Sequence, residues 1–117
     1  MTMRVSMTTF DATDARSLAR WWADQVGGEV VADHDGEFVM VAQADRRPPV
    51  LGFQRVGDPT PGKNRVHLDL EAPDREQEVE RLQLAGAQVV ARHEEGGFAW
   101  VVMADPEGTQ FCVSQQH

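Results

Sequence analysis

"GGEVVADHD" (residues 27–35) recurs as "GAQVVARHE" (residues 86–94), and this repeat decides the fold. Five residues keep both their type and their spacing: Gly27, Val30, Val31, Ala32 and His34 return as Gly86, Val89, Val90, Ala91 and His93. Two copies of roughly sixty residues each are too few for a solenoid, which needs a longer array of stacked units. The repeat therefore predicts a duplicated module with pseudo-two-fold symmetry.

Each copy has the pattern of a strand, a helix and three further strands. In the first copy, leucine, tryptophan and valine recur at helical spacing between Thr13 and Gly28, with Asp14 or Thr13 as N-cap and glycines at the end. The adjacent Trp21 and Trp22 both fit within a wide apolar stripe, and at least one of them is expected to pack against the sheet. Strands are predicted at residues 4–10, 29–34, 37–43 and 49–56.

The second copy repeats this order. Its helix is predicted within residues 73–87, with Asp74 as N-cap and with Val79 and Leu82 facing inward. Strands are predicted at residues 66–72, 88–94, 98–104 and 109–115, and "DPEG" at 105–108 has the residue order of a type I turn. The fold class is therefore α+β, with module one at residues 1–56, a linker rich in Pro and Gly at 57–64 and module two at 65–117.

Composition narrows the function classes. The chain has 117 residues, 41% of them hydrophobic, which is enough for an ordinary globular core. Nineteen acidic against eleven basic residues give a formal net charge of -8, which disfavours nucleic-acid binding. One cysteine, Cys112, excludes an intrachain disulfide and favours a reducing compartment, and no apolar run approaches membrane length. We therefore expect a cytoplasmic protein without a membrane partner.

"GKNRVHLDL" (residues 62–70) contains the most informative polar positions. Alternation places Val66, Leu68 and Leu70 on one face of a strand and His67 and Asp69 on the other. The polar face contacts bulk water, a metal ion or a ligand cavity, and the alternation alone does not decide among these three environments. Phe111 and Val113 flank Cys112, so that cysteine can equally be a small buried hydrophobic residue.

Three segments in this order carry a family resemblance: "LARWWADQVGGEV" (18–30), "GKNRVHLDL" (62–70) and "MADPEGTQFCV" (103–113). With the internal repeat, they resemble the vicinal oxygen chelate superfamily, which includes glyoxalase I, bleomycin-resistance proteins and extradiol dioxygenases, and within it the bacterial glyoxalase-like domains. The resemblance implies that the two modules form a cupped mixed sheet with the helices outside. It also implies a divalent metal held by the first and last strands of each module.

Carried onto this sequence, the resemblance implies four ligand positions, Met7, Gln54, His67 and Cys112. Met7 precedes Asp14 by the seven residues that separate His67 from Asp74, and Gln54 is paired with Cys112 when Phe53 is aligned with Phe111. Metal-binding relatives usually carry Glu at the position of Cys112. Since Met is a soft, neutral donor, the set is incomplete for a hard or borderline ion, and only His67 and Cys112 remain as strong ligands. A divalent metal is possible, but no cofactor is assigned.

Two functions follow from the resemblance, and the sequence leaves open whether the protein is an enzyme. The first is a small-molecule-binding protein whose ligand lies in the cup. Its predicted ligand-binding residues are Met7, Thr9, Gln54, His67, Asp69, Trp100 and Cys112. The alternative is a metal-dependent lyase, isomerase or dioxygenase acting on a small oxygenated substrate. A third hypothesis has His67 and Asp69 as a metal-independent acid/base pair, and the superfamily resemblance also implies a homodimer.

Overall fold

The computed structural model describes residues 2, 4–62, 64 and 66–116. Its contacts divide the chain into two compact units, with the boundary between Pro59 and Thr60. The exact bounds of modules and linker predicted above stay a prediction. No described helix is long and apolar enough to cross a membrane.

Module one contains one helix and four strands. They are β1 (Met7–Ala12), α1 (Ala15–Val26), β2 (Glu29–His34), β3 (Phe38–Ala42) and β4 (Val50–Arg55). The strand order is β1-β4-β3-β2, in which β1 runs parallel to β4 and the other pairs are antiparallel. Relative to the prediction, the first strand begins later, at Met7, and continues to Ala12.

Module two repeats this arrangement. Its elements are β5 (Leu68–Ala72), α2 (Arg75–Leu84), β6 (Gln88–Glu95), β7 (Phe98–Ala104) and β8 (Gln110–Gln115), and its strand order is β5-β8-β7-β6. Both modules carry a register shift at the same point of the repeat, between Val30 and Ala32 and between Val89 and Ala91. The predicted α+β fold of two tandem βαβββ modules is confirmed.

The capping residues predicted from sequence begin both helices. Asp14 accepts a hydrogen bond from the Ser17 backbone N–H at 3.1 Å, and Asp74 accepts one from the Gln77 N–H at 3.1 Å. These carboxylates satisfy backbone donors that have no partner within the helix. Gly27 ends α1 in the left-handed conformation, with φ of 63°, which glycine adopts without steric strain.

Each helix packs against one face of its own sheet and so determines which strand residues are core. In module one the core centres on Trp22 and Phe53, and Phe10 lies against both, with ring centroids 5.4 Å and 4.9 Å away. In module two, Val79 and Leu82 of α2 are buried, as predicted. The opposite face of each sheet carries the positions predicted to bind a ligand.

One residue of the alternating segment departs from the prediction. Val66 was predicted on the same strand face as Leu68 and Leu70, which are half-buried, but it is 77% exposed. The strand β5 begins only at Leu68, so the two-residue side-chain alternation does not extend back to residue 66. His67 therefore sits one residue before the strand.

Candidate functional site

A cleft of about 680 Å³ lies on the face of the module two sheet opposite α2. Four of the predicted site residues line it: His67, Asp69, Trp100 and Cys112. The strand register explains why they meet. Asp69 pairs with Cys112, and Cys112 pairs with Val102, so that three neighbouring strands contribute to one row across the sheet. Glu71, Ser114 and Trp100 form the next row in the same way.

The cleft forms because small side chains lie between larger ones in these rows. β8 lies between the other two strands and presents Cys112 and Ser114, which are small, to the cleft. β5 on one side presents carboxylates, and β7 on the other side presents Trp100. The cleft thus has a floor of small residues, an acidic edge along β5 and an aromatic edge along β7.

His67, Asp69 and Cys112 form a compact polar triad at the β5 side of the cleft. Their ligand atoms all lie within 4.8 Å of one another. His67 Nδ1 is 3.1 Å from Asp69 Oδ1 and 3.8 Å from Cys112 Sγ. Cys112 is 8% exposed, whereas the side chain of Asp69 is 73% exposed. The triad therefore joins a buried sulfur to an accessible carboxylate through one imidazole.

The triad does not have the arrangement of a nucleophile relay. In such a relay the base receives the nucleophile's proton on one ring nitrogen and is held by the carboxylate through the other. Here Asp69 and Cys112 both approach Nδ1, so one nitrogen cannot serve both at once. Imidazole nitrogen, carboxylate oxygen and thiolate sulfur are, however, three donors of the kind that bind zinc.

An aromatic wall, which we define as His93, Phe98 and Trp100, borders the other side of the cleft. The ring centroid of Trp100 lies 5.3 Å from that of His93, at an interplanar angle of 27°, and 5.7 Å from that of Phe98, at 32°. Phe98 is 45% exposed. A half-exposed aromatic group of this kind offers a flat apolar surface to a ligand.

Asn64 ties the segment before β5 to the start of β8. Its Oδ1 accepts a hydrogen bond from the Gln110 backbone N–H at 2.9 Å, and its Nδ2 donates to the Gln110 carbonyl at 3.3 Å. The Asn64 amide also donates to the Val66 carbonyl. His67 follows Val66 directly, so these bonds restrain the backbone next to the residue that carries the imidazole.

The register corrects the alignment of the two repeats made from sequence. Ala12 pairs with Arg55 and Ala72 pairs with Gln115, so the module one residue that corresponds to Cys112 is Gly52, not Gln54. Gln54 corresponds to Ser114. Our sequence alignment shifted this strand by two residues because the loops that precede β4 and β8 differ in length.

Met7, Thr9 and Gln54 belong to the sheet of module one. A Cβ placed on Gly52 would lie 3.0 Å from Met7 Sδ, 3.0 Å from Phe38 Cζ and 3.1 Å from Thr9 Oγ1, so these side chains converge over the glycine. At the positions of His67, Asp69 and Cys112, module one therefore has Met7, Thr9 and Gly52. It lacks the donor set of module two at these positions, and the ligand-binding roles of Met7, Thr9 and Gln54 stay predictions.

His93, Phe98 and Ser114 are among the cleft-lining residues that sequence reasoning missed. Alternation from Trp100 would have placed Phe98 on its face, and alternation from Cys112 would have placed Ser114. His93 could not be found in this way, because the register shift between Val89 and Ala91 changes the pairing of β6 with β7.

Comparison with known proteins now identifies the family. A sequence model described as the glyoxalase-like domain matches residues 7–114. The chain belongs to the glyoxalase-like domain family. This confirms the predicted place in the vicinal oxygen chelate superfamily. No protein with a curated description matches the chain in sequence.

Solved structures of this superfamily share the fold of the glyoxalase-like chain. A glyoxalase/bleomycin resistance protein/dioxygenase family enzyme from Burkholderia phytofirmans superposes with a TM-score of 0.78 at 16% identity, covering 97% of this chain and 98% of that one. Lactoylglutathione lyase from Agrobacterium tumefaciens gives 0.71 at 17% identity, covering 98% and 95%. The fosfomycin resistance protein FosX from Listeria monocytogenes, complexed with Mn(II) and a dihydroxypropylphosphonic acid, gives 0.78 at 10%, covering 97% and 90%. At these identities the likeness establishes the fold alone.

Proposed function

We propose that this glyoxalase-like protein binds a small organic molecule in the cleft of module two. The aromatic wall is the observation that carries the proposal. It places Trp100, flanked by His93 and Phe98, beside a cleft whose volume lies in the range typical of small-molecule sites. Polar groups on the β5 side, among them His67 and Asp69, supply the few hydrogen-bonding positions that orient a ligand.

Replacing Trp100 with Leu is expected to weaken binding of flat bicyclic compounds about tenfold, because stacking on the indole is lost. The experiment is a thermal-shift screen with quinoline, indole and related bicyclic compounds, followed by calorimetric titration of any compound that raises Tm. Trp21→Leu is the matched control, since Trp21 lies on α1 and does not line the cleft. Equal affinities for the two variants, or no saturable binding by any compound, would contradict the proposal.

A metal-dependent lyase, isomerase or dioxygenase is the second candidate, and the triad is the observation that favours it. His67, Asp69 and Cys112 would hold the ion, which would polarise oxygen atoms of a substrate. Donor atoms around one tetrahedral Zn²⁺ lie roughly 3.3–3.6 Å apart at ordinary bond lengths. The observed 3.1 Å and 3.8 Å separations are close to this, and all three donor atoms lie within 4.8 Å of one another. The donor types fit a zinc-type ion, which would draw the carboxylate and the thiolate closer together.

The same residues fit Mn²⁺ poorly, which distinguishes this candidate from the Mn(II) complex of FosX. Mn²⁺ favours carboxylate, carbonyl and water oxygen, whereas a thiolate favours softer ions. At the corresponding positions module one has no strong donor, because Met7 and Gly52 stand where module two has His67 and Cys112. The ion would therefore be held by module two residues.

His67→Ala is expected to lower Zn²⁺ or Co²⁺ affinity by about two orders of magnitude, because one of three donors is removed. Metal content by mass spectrometry and the thiolate-to-Co²⁺ absorption band are the measurements, and Cys112→Ser should abolish that band. His34→Ala is the control, since it removes the histidine that corresponds to His93 in the other repeat. Failure of the unmodified protein to bind either ion would exclude this candidate.

The predicted homodimer and cytoplasmic location stay proposals that rest on the family resemblance and on composition. The formal net charge of -8 also continues to argue against a nucleic-acid partner.

A further inference from the structure

We infer that the molecule bound in the cleft of module two is a planar organic cation. The inference rests on the proposed small-molecule function and adds the charge and shape of the ligand. It follows from the distance between the acidic and aromatic edges and from the charges that border them.

The two edges are separated by one strand. β5 carries Asp69 and Glu71, β7 carries Trp100, and β8 lies between them with the small side chains of Cys112 and Ser114. Two strand spacings amount to roughly 10 Å. A bicyclic ring system stacked at the aromatic edge can therefore extend a charged group across the floor to Glu71.

The carboxylates that line the cleft are Asp69 and Glu71. Asp69 is 3.1 Å from His67, whereas Glu71 has no ion pair or side-chain hydrogen bond within the described part of the chain. Arg75 and Arg92 line a neighbouring pocket that also borders His93 and Trp100, and there they hydrogen-bond to Glu76 and lower its pKa. Arg16 does the same for Asp33 on module one. Among the described cleft-lining residues there is no Lys or Arg. Among the described residues, no cation neutralises the charge of Glu71, which is available to a ligand.

The aromatic wall favours the same class of ligand. The face of an indole attracts a cation placed within about 6 Å of the ring, and Trp is the strongest of the aromatic residues in this respect. A planar, delocalised cation can stack on Trp100 and reach a carboxylate simultaneously. An anion such as the phosphonic acid bound to FosX would instead face Asp69 and Glu71, with no Lys or Arg among the described residues that line the cleft.

Three probes of similar size and different charge test the inference. They are 1-methylquinolinium, which is a permanent cation, 2-methylquinoline, which is neutral at pH 8, and the anion 1-naphthoate. By calorimetric titration at low salt, the cation is expected to bind about tenfold more tightly than the neutral compound, and the anion not at all. Glu71→Gln should weaken binding of the cation about fivefold and leave the neutral compound unchanged.

Glu80→Gln is the matched control, because it removes the same charge from an exposed position on α2 outside the cleft. Equal binding of the cation and the neutral compound, both weakened by Trp100→Leu, would overturn the cation inference and leave the small-molecule proposal standing. An equal effect of the Glu71 and Glu80 variants would also overturn it, since the effect would then come from net charge. Absence of Trp100-dependent binding by any probe would overturn both.

Discussion

Replacing Trp22 with Ala is expected to lower the free energy of unfolding by about 3–5 kcal/mol, because the change removes a large buried side chain and leaves a cavity. Trp22 is 1% exposed and lies in the core between α1 and the module one sheet, in contact with Phe10. Urea unfolding followed by far-UV circular dichroism measures the change as a lower midpoint at nearly constant slope.

Trp21→Ala is the control for this experiment. Trp21 is half-buried and meets Trp22 edge to face, with ring centroids 5.1 Å apart. Its loss should lower the free energy of unfolding by only about 1 kcal/mol. If both variants lost the same amount, the assignment of Trp22 rather than Trp21 to the core would be wrong.

Gly28→Ala is expected to destabilise the protein by about 2–4 kcal/mol through a steric clash with the backbone. A Cβ on Gly28 would lie 2.0 Å from the Ala42 carbonyl oxygen, an atom held in the sheet by the pairing of Ala42 with Glu29. Since the obstacle is backbone rather than a flexible side chain, the chain from α1 to β2 must shift. The same urea unfolding measurement applies.

The internal repeat provides a comparison for the Gly28→Ala prediction. Module two has Ala87 at the position of Gly28, and both residues donate their backbone N–H to the corresponding helix carbonyl, Ala23 or Leu82, at 2.9 Å. From sequence alone, Gly28→Ala would simply give module one the residue that module two already has at this position. Gly57→Ala is the control, because a Cβ there meets nothing within 4 Å. A loss in Gly28→Ala no larger than in this control would refute the predicted clash.

The helix boundaries and the fold class could be predicted from sequence because their causes are local. Asp14 and Asp74 cap helices through backbone N–H groups only three residues away. The periodicity that buries Leu18 and Trp22, or Val79 and Leu82, is a property of each helix by itself. Two such local patterns in the same order were sufficient for the βαβββ repeat.

The correspondence between individual site positions could not be predicted in this way. His34 pairs in register with Phe38, which is four positions later in the chain. The corresponding pair in module two, His93 and Trp100, is seven positions apart. Met40 and Gly52, which also pair in register, are twelve positions apart, whereas the corresponding pair Val102 and Cys112 is ten positions apart. Turns and loops change length freely, whereas strand pairing is determined by backbone hydrogen bonds between distant segments. For this reason the sequence alignment paired Cys112 with Gln54 instead of Gly52.

The sequence by itself determined the family, the duplicated α+β fold and the presence of His67, Asp69 and Cys112 as candidate polar groups. Only the tertiary structure decided that these three meet at a single imidazole nitrogen and that His93, Phe98 and Trp100 stack beside them. The physical reason is that a repeat and its periodicity are encoded within short segments, whereas the distances between side chains on neighbouring strands depend on register. Register joins residues more than forty positions apart, such as Asp69 and Cys112, and it brings Asp69 of "GKNRVHLDL" to the acidic edge of a cleft.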